Sequence, residues 1–368
     1  MATDQPDPSY AGSVLEIDLG AIAANWRSLS ARHSSGPVAG VVKADAYGLG
    51  AEAVVPALHE AGCRHFFVAH LREALAIRPL APESLIGVLN GLLPGTEPAY
   101  VAEKLTPVLG SLAELDAWVA QARRVGRALP AILHIDTGMS RLGLDAAELT
   151  CLRNEPARIQ GITVVYVMTH LVASEVPEDP VNRVQLVRFA DACAALPPAP
   201  RSLANSSGIF LGPGWGSDLA RAGAALYGIN PTPSAANPMR PVVRLRTRVL
   251  SVRSIPAGAS VGYNATWTAS RPSRIATCAI GYADGWHRSQ SGHGSAIFDE
   301  RPVPLVGRVS MDLTTFDATD HPAIVPGAWL ELIGPARTPE DVAAAAGTNG
   351  YEVLTSLGRR FARVYRTR

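Results

Sequence analysis

Between about residues 38 and 228 the chain alternates short apolar runs with longer stretches whose apolar positions recur every three or four residues. The apolar runs 38–43, 65–70, 85–89, 106–109, 130–136, 161–169, 202–205 and 222–227 predict strands. Segments 51–62, 71–80, 112–126 and 180–196 predict helices, and 21–34 predicts one more ahead of the series. In 112–126, Leu112, Leu115, Trp118, Val119 and Ala122 keep the i, i+3, i+4 spacing, and Gly126 follows as a stop. Strands alternating with helices imply a parallel sheet with right-handed crossovers. Eight strands favour a closed TIM-type (β/α)8 barrel over an open doubly wound sheet, and no G-x-G-x-x-G opens the first helix.

After about residue 240 the pattern changes. Val242–Val252, Ala259–Gly262, Ser273–Ile280 and Ala328–Ile333 are β-rich and separated by Pro and Gly, and only 338–346 and 351–357 read as helical. The expected fold class is α/β, an N-terminal barrel over 14–240 followed by a mainly β domain over 241–368. Residues 14–18 are a further strand that can pair with the second domain.

Composition narrows the class. Apolar residues make up 47% of the 368 and charged residues 18%, which excludes a disordered chain. A formal net charge of +1 gives no electrostatic footprint for nucleic acid or an anionic membrane. Cys63, Cys151, Cys193 and Cys278 are scattered without ligand spacing, which argues against a zinc site or a disulfide frame and for reduced thiols in the cytoplasm. Met1 to Ser13 is polar and lacks the basic-then-apolar pattern of a secretory signal, and no apolar run has the length of a membrane span.

In a barrel of this kind the C-terminal strand ends supply the reactive groups. Lys43 ends the first apolar run, followed by Tyr47 and two glycines. A lysine there is costly to bury unless it is paired or used, and desolvation makes its amine a better nucleophile towards a carbonyl, as a Schiff base requires. The alternative, a lysine that snorkels out of the barrel end, stays open on position alone. Leu-Ala-Asn-Ser-Ser-Gly (203–208) and Leu-Ala-Arg-Ala-Gly-Ala-Ala-Leu-Tyr-Gly (219–228) fall at the last two strands, where barrels bind phosphate. Ser206 and the amides of Gly223 and Ala224 suit that task, although such pairs are also ordinary turn signals. Arg141 and His170 follow predicted strands as well; the arginine can clamp a carboxylate or lie on the surface, and a lone histidine is more often structural. Val-Gly-Tyr-Asn-Ala-Thr-Trp (261–267), Gly-Tyr-Ala-Asp-Gly-Trp (281–286) and Gly-Arg-Val-Ser-Met-Asp (307–312) read as hairpin turns.

Taken in order, Val-Val-Lys-Ala-Asp-Ala-Tyr-Gly (41–48), Asp-Thr-Gly-Met-Ser-Arg-Leu-Gly (136–143), Ala-Asn-Ser (204–206), Arg-Ala-Gly-Ala-Ala-Leu-Tyr-Gly (221–228) and the three β-domain segments resemble alanine racemase. The resemblance implies a pyridoxal phosphate (PLP) enzyme that interconverts L- and D-alanine, for peptidoglycan supply or for catabolism. It implies that Lys43 carries PLP, with Tyr47, Ser206, Gly223 and Ala224 around the phosphate, Arg221 at the pyridine nitrogen, His170 beside it and Asn205 among the cofactor's contacts. Arg141 would sit by the cofactor phenolate and the substrate carboxylate. The family builds its site across a head-to-tail homodimer, so Tyr263 and Met311 would enter from the partner's β domain, and Glu175, Tyr282, Arg288 and Arg308 would line the path by which substrate enters.

Racemisation needs two acid/base groups on opposite faces of Cα, and Lys43 and Tyr263 would supply them. A tyrosine serves as base only beside cations, which Arg221 acting through His170 provides. An arginine cannot accept the pyridine proton, which suits racemisation better than a deeper electron sink would. Two rivals differ on named residues. A PLP amino-acid decarboxylase of the same barrel type would place an acid where Arg221 stands, and a PLP carrier would need no β domain with Tyr263.

Three positions depart from the family pattern. His134 replaces a modified lysine whose carboxylate orients the arginine at 141, leaving a bound anion or the histidine itself for that role. A C-terminal tyrosine that reaches the phosphate in many members has no clear counterpart, Arg359 or Phe361 falling near its place. Ser310 replaces a cysteine, and Ala224 a larger isoleucine.

Overall fold

A computed structural model describes residues 10–367. Most of the polar N-terminal stretch read for a leader, residues 1–9, lies outside them.

Eight parallel strands form the first sheet: β2 (Val38–Val41), β3 (His65–Val68), β4 (Leu85–Val88), β5 (Thr106–Leu109), β6 (Leu129–His134), β7 (Ile162–Met168), β8 (Arg201–Ser202) and β9 (Ala220–Ala222). They run in the order β8-β7-β6-β5-β4-β3-β2-β9, so the first strand of the series meets the last. Single bonds close the remaining seam: Leu219 N donates to Arg201 O at 3.1 Å and Arg221 N to Ala204 O at 2.8 Å. Inside, Ala39, Val41, Phe67, Val108, Ile132, Met168 and Leu219 pack as one buried cluster, as a filled barrel requires. Outside, helices end where their sequences say. Ser111 caps Leu112–Val125 by accepting from Glu114 N, and Gly126 stops it at φ 69°. Asp179 caps Pro180–Ala194, with proline at its first turn.

Several boundaries differ from expectation. The strand expected over 38–43 stops at Val41, and Lys43 begins a turn. The run 222–227 is not a strand; β9 ends at Ala222 and Ala224–Tyr227 coil into a 3-10 turn, because an apolar run fits either geometry. Strand 202–205 shrinks to Arg201–Ser202, and only 3-10 turns separate it from β9.

The second sheet is built on the long strand β10 (Val243–Ile255), which pairs antiparallel with β1 (Ser13–Asp18). β1 precedes the barrel in sequence yet lies between β10 and the C-terminal strand Ala362–Arg366. Its one buried carboxylate, Glu16, is neutralised from both sides by Arg246 and by Arg366, the latter at 2.7 Å. The hairpin Ser295–Phe298 with Arg301–Pro304 was not expected; its second strand carries two prolines and is the sheet edge, where a missing N–H costs least.

Candidate active site

A cavity of about 780 Å³ opens at the C-terminal ends of the barrel strands. Lys43, Tyr47, His134, Arg141, His170, Glu175, Asn205, Ser206, Arg221, Gly223 and Ala224, from seven separate stretches of chain, line it together.

Lys43 opens an unusual turn. Ala44, Asp45, Ala46 and Tyr47 all take left-handed helical angles, with φ of 53°, 54°, 54° and 56°. Each non-glycine residue held there costs on the order of 1–2 kcal/mol. The surroundings hold it: Glu73 Oε1 accepts from Ala44 N at 2.6 Å, Asp45 Oδ1 from Ala51 N at 2.7 Å, and Arg363 donates to Gly48 O at 2.7 Å. Burial and then the Arg141 charge push the Lys43 amine below its usual range, and Glu73 opposes them.

Tyr47 stacks on Tyr227 with ring centroids 4.6 Å apart, and burial pushes its phenol up. A Cβ on Gly223 would collide with the Tyr47 hydroxyl, so a larger residue there would have to displace that ring. Ser206 Oγ accepts from Gly223 N at 3.0 Å and from Ala225 N at 3.2 Å. Of the two amides expected as donors, that of Gly223 is thus already engaged, leaving the Ser206 O–H and the Ala224 N–H. Asn205 Oδ1 accepts from Ser174 Oγ and Gly208 N, tying two loops.

Arg221 on β9 is 4% exposed. Its guanidinium donates to Ser202 O at 3.0 Å, to Ser202 Oγ at 2.5 Å and to Thr169 O at 2.5 Å. Burial pulls it down to about 10, which leaves it charged at neutral pH. The same burial, followed by the Arg221 charge, brings His134 to about 4 and His170 to about 3, so both imidazoles are neutral. Arg141 stands in a loop knotted by Asp136, whose Oδ1 accepts from Gly138, Met139 and Ser140 N within 3.1 Å. No ion pair holds Arg141 among the described residues; neutral His134 shares its wall.

The other expected residues lie away from this cavity. Tyr263 (68% exposed), Met311 (54%) and Tyr282 (43%) stand on the surface of the β domain. The segments bearing Tyr282 and Met311 are joined by Tyr282 N to Ser310 O and Ala283 N to Met311 O, both 2.9 Å, and Arg360 bridges Asp284 and Asp312 beside them. Arg288 and Arg308 line a separate hollow of about 430 Å³ with Trp267. Of the two C-terminal positions near the missing tyrosine, Phe361 is buried in the core and Arg359 is exposed, and neither lines the cavity. Tyr351 and Thr355 on the helix Gly350–Ser356 do.

Sequence reasoning passed over Glu73 and Gln185. Gln185, fully buried, donates to Thr137 Oγ1 and His170 O at 2.9 Å and accepts from Val172 N at 2.8 Å, joining the Arg141 and His170 loops. No periodic signal marks it; a glutamine on the inner face of a helix was the available clue. Among the described residues no cluster of His, Cys, Asp or Glu could hold a metal, and no helix is long and apolar enough to cross a membrane.

Two family models cover the chain: "Alanine racemase, N-terminal domain" over residues 17–231 and "Alanine racemase, C-terminal domain" over 242–365. The alanine racemase of Acidiphilium cryptum is 57% identical, covering 96% of this chain and 98% of that protein. The crystal structure of alanine racemase from Bartonella henselae with covalently bound pyridoxal phosphate superposes with a TM-score of 0.94 at 41% identity, covering 96% of this chain and 99% of the other. The biosynthetic enzyme of Pseudomonas aeruginosa gives 0.90 at 34%, with coverage of 96% and 99%. The chain belongs to the alanine racemase family.

Proposed function

We propose that this protein racemises alanine with PLP, using Lys43 and Tyr263 of the partner subunit as the two bases. The observation that carries the reading is the pairing, in one cavity, of a desolvated lysine amine with a buried arginine held by three oxygen acceptors. The wall fits a phosphorylated ring: the Ser206 O–H remains to donate, and the glycine at 223 lets the Tyr47 hydroxyl approach.

Lys43 would hold the cofactor, Tyr47, Asn205, Ser206 and the Gly223–Ala224 segment its phosphate, and Arg221 and His170 its ring. When bound, PLP supplies an electron sink for the charge left at Cα. The depressed Lys43 amine is neutral over more of the physiological range, and so takes a proton from one face of Cα and returns it. Arg221 has only donors and is fixed by its acceptors, so it would not protonate a ring nitrogen held beside it; a decarboxylase would want an acid there. Arg141 orients the substrate carboxylate, with neutral His134 beside it. Glu175, Tyr282, Arg288 and Arg308 would guide substrate inward, and Met311 of the partner subunit would bound the pocket.

This division of labour makes the working unit a homodimer, with the exposed Tyr263 turn as the part each subunit lends. Four unpaired cysteines fit a cytoplasmic enzyme, supplying D-alanine for peptidoglycan or serving catabolism.

The test is a chiral assay in deuterated water with L-alanine, L-serine and longer amino acids. D-alanine carrying deuterium at Cα is the expected product, with carbon dioxide absent. Borohydride should trap a cofactor adduct on Lys43 that Lys43→Ala abolishes; an adduct retained elsewhere, or decarboxylation, overturns the proposal.

A further inference from the structure

Glu73 is the third residue of the helix Leu71–Ile77 and accepts from His70 N at 3.0 Å, the ordinary work of a capping box. Its carboxylate does more than that. Oε2 also accepts from Ala69 N at 2.8 Å, and Oε1 reaches across to a different β/α unit and accepts from Ala44 N at 2.6 Å. Ala44 is the first residue of the left-handed turn and follows Lys43 directly. A helix cap accounts for the bonds of Oε2 and leaves the Oε1 bond unexplained.

We infer that Glu73 is a positioning residue for Lys43: one carboxylate oxygen anchors the strained turn from which Lys43 projects, and its charge is the negative partner of that amine. This rests on the proposed racemase reading, in which Lys43 must both gain and release a proton. The groups acting on the amine divide by sign. Arg141 from the loop after β6 favours its neutral form, and so does burial. His170 beside it is neutral. Among the described residues Glu73 is the acid whose charge bears on Lys43, and it favours the ammonium. The balance keeps Lys43 able to move a proton in both directions, with Glu73 opposing the bias of burial and Arg141 towards the neutral amine. Geometry and charge work together: the anchor that offsets the left-handed strain is also the counter-charge.

The decisive variant is Glu73→Gln. An amide keeps the length and one acceptor oxygen, so it can serve the helix cap or Ala44 N, not both, and it carries no charge. Two readouts separate positioning from plain structure. In the full chain freed of PLP, the pH dependence of Lys43 acylation, read by mass spectrometry, should move to lower pH. Loss of the opposite charge lowers the amine further, so its neutral fraction below the midpoint should rise severalfold. In the holoenzyme the acid limb of kcat/KM should move the same way. A Glu73→Gln protein that melts lower while both profiles stay put makes Glu73 a cap only and overturns the inference. If that variant does not fold, amide exchange in the wild-type chain decides: Ala44 N–H must be protected well beyond a solvent-exposed turn, and free exchange overturns the inference. The acylation profile needs no turnover. A shift there, with a wild-type protein that shows no racemase activity, would therefore refute the proposed function and leave the positioning role standing.

Discussion

His134 and His170 are neutral in a wall that also carries Arg221, and this sets how the protein responds to acid. An unfolded histidine takes up its proton below about pH 6.5, whereas the folded chain resists until about 4 at His134 and about 3 at His170. Between these values the unfolded state binds more protons, so stability is full above pH 6.5 and falls as pH drops towards the folded values. At pH 5 each imidazole withholds nearly one proton over about 1.5 pH units, a loss of about 2 kcal/mol apiece. For 368 residues the unfolding entropy is about 0.8 kcal/mol/K, so His134 alone accounts for a fall of about 2–3 °C in Tm. The assay is thermal unfolding of the PLP-free chain from pH 7.5 to 5, wild type against His134→Gln. Whatever the variant does to Tm at pH 7.5, its further drop on acidification should be smaller by about 2–3 °C. Equal drops in the two proteins would refute a buried neutral histidine at 134.

Gln185→Leu removes three hydrogen bonds from a fully buried site, about 3 kcal/mol or about 4 °C in Tm, and should also lower kcat/KM because the Arg141 and His170 loops lose their tie; a Tm within a degree of wild type contradicts this. Ala44→Gly relieves about 1–2 kcal/mol of left-handed strain against about 0.5–1 kcal/mol of extra chain entropy, so thermal melts should show a slightly more stable protein that keeps its bond to Glu73. Tyr263→Phe should nearly abolish alanine racemisation while the cofactor absorbance stays, and near-normal turnover would remove Tyr263 as a base.

The barrel was legible because its interior needs apolar strands and its exterior needs helices with one apolar face, and both leave period in the sequence. That frame brought Lys43, Arg141, His170 and Ser206 to one end, since residues at or just after strand ends share a face of a barrel, whereas Arg221 stood ahead of the strand expected over 222–227 and was marked only by the family resemblance. Illegible parts are those decided by tertiary contact. Ala44 to Tyr47 contain no glycine or asparagine, and beyond Asp45 nothing local favours their left-handed angles; Glu73, Arg363 and the packing of Tyr47 on Tyr227 impose them. Ala224–Tyr227 read as strand because apolarity is blind to curvature, while the real strand was the shorter Ala220–Ala222. Gln185 and Glu73 escaped notice because their partners are backbone atoms of distant loops, which composition does not encode.

Most of the titratable groups that share the cavity with Lys43 are poor candidates for a second base. Burial keeps the Tyr47 phenol protonated, and it keeps His134 and His170 weakly basic, while Arg221 can only donate. Lys43 is left as a base for one face, and the tyrosine proposed for the other stands 68% exposed on the far domain. If each site takes Lys43 from one subunit and Tyr263 from its partner, then two dead variants must complement each other. In an equimolar mixture of Lys43→Ala and Tyr263→Phe chains with free exchange, half of the dimers are mixed, and each mixed dimer has one intact site of two. Activity should therefore climb from near zero to about a quarter of wild type. It should follow the rate of subunit exchange rather than the rate of mixing. Exchange demonstrated by mass spectrometry with no recovery would show that Lys43 and Tyr263 do not meet across the dimer, and the second base would have to be sought within one chain.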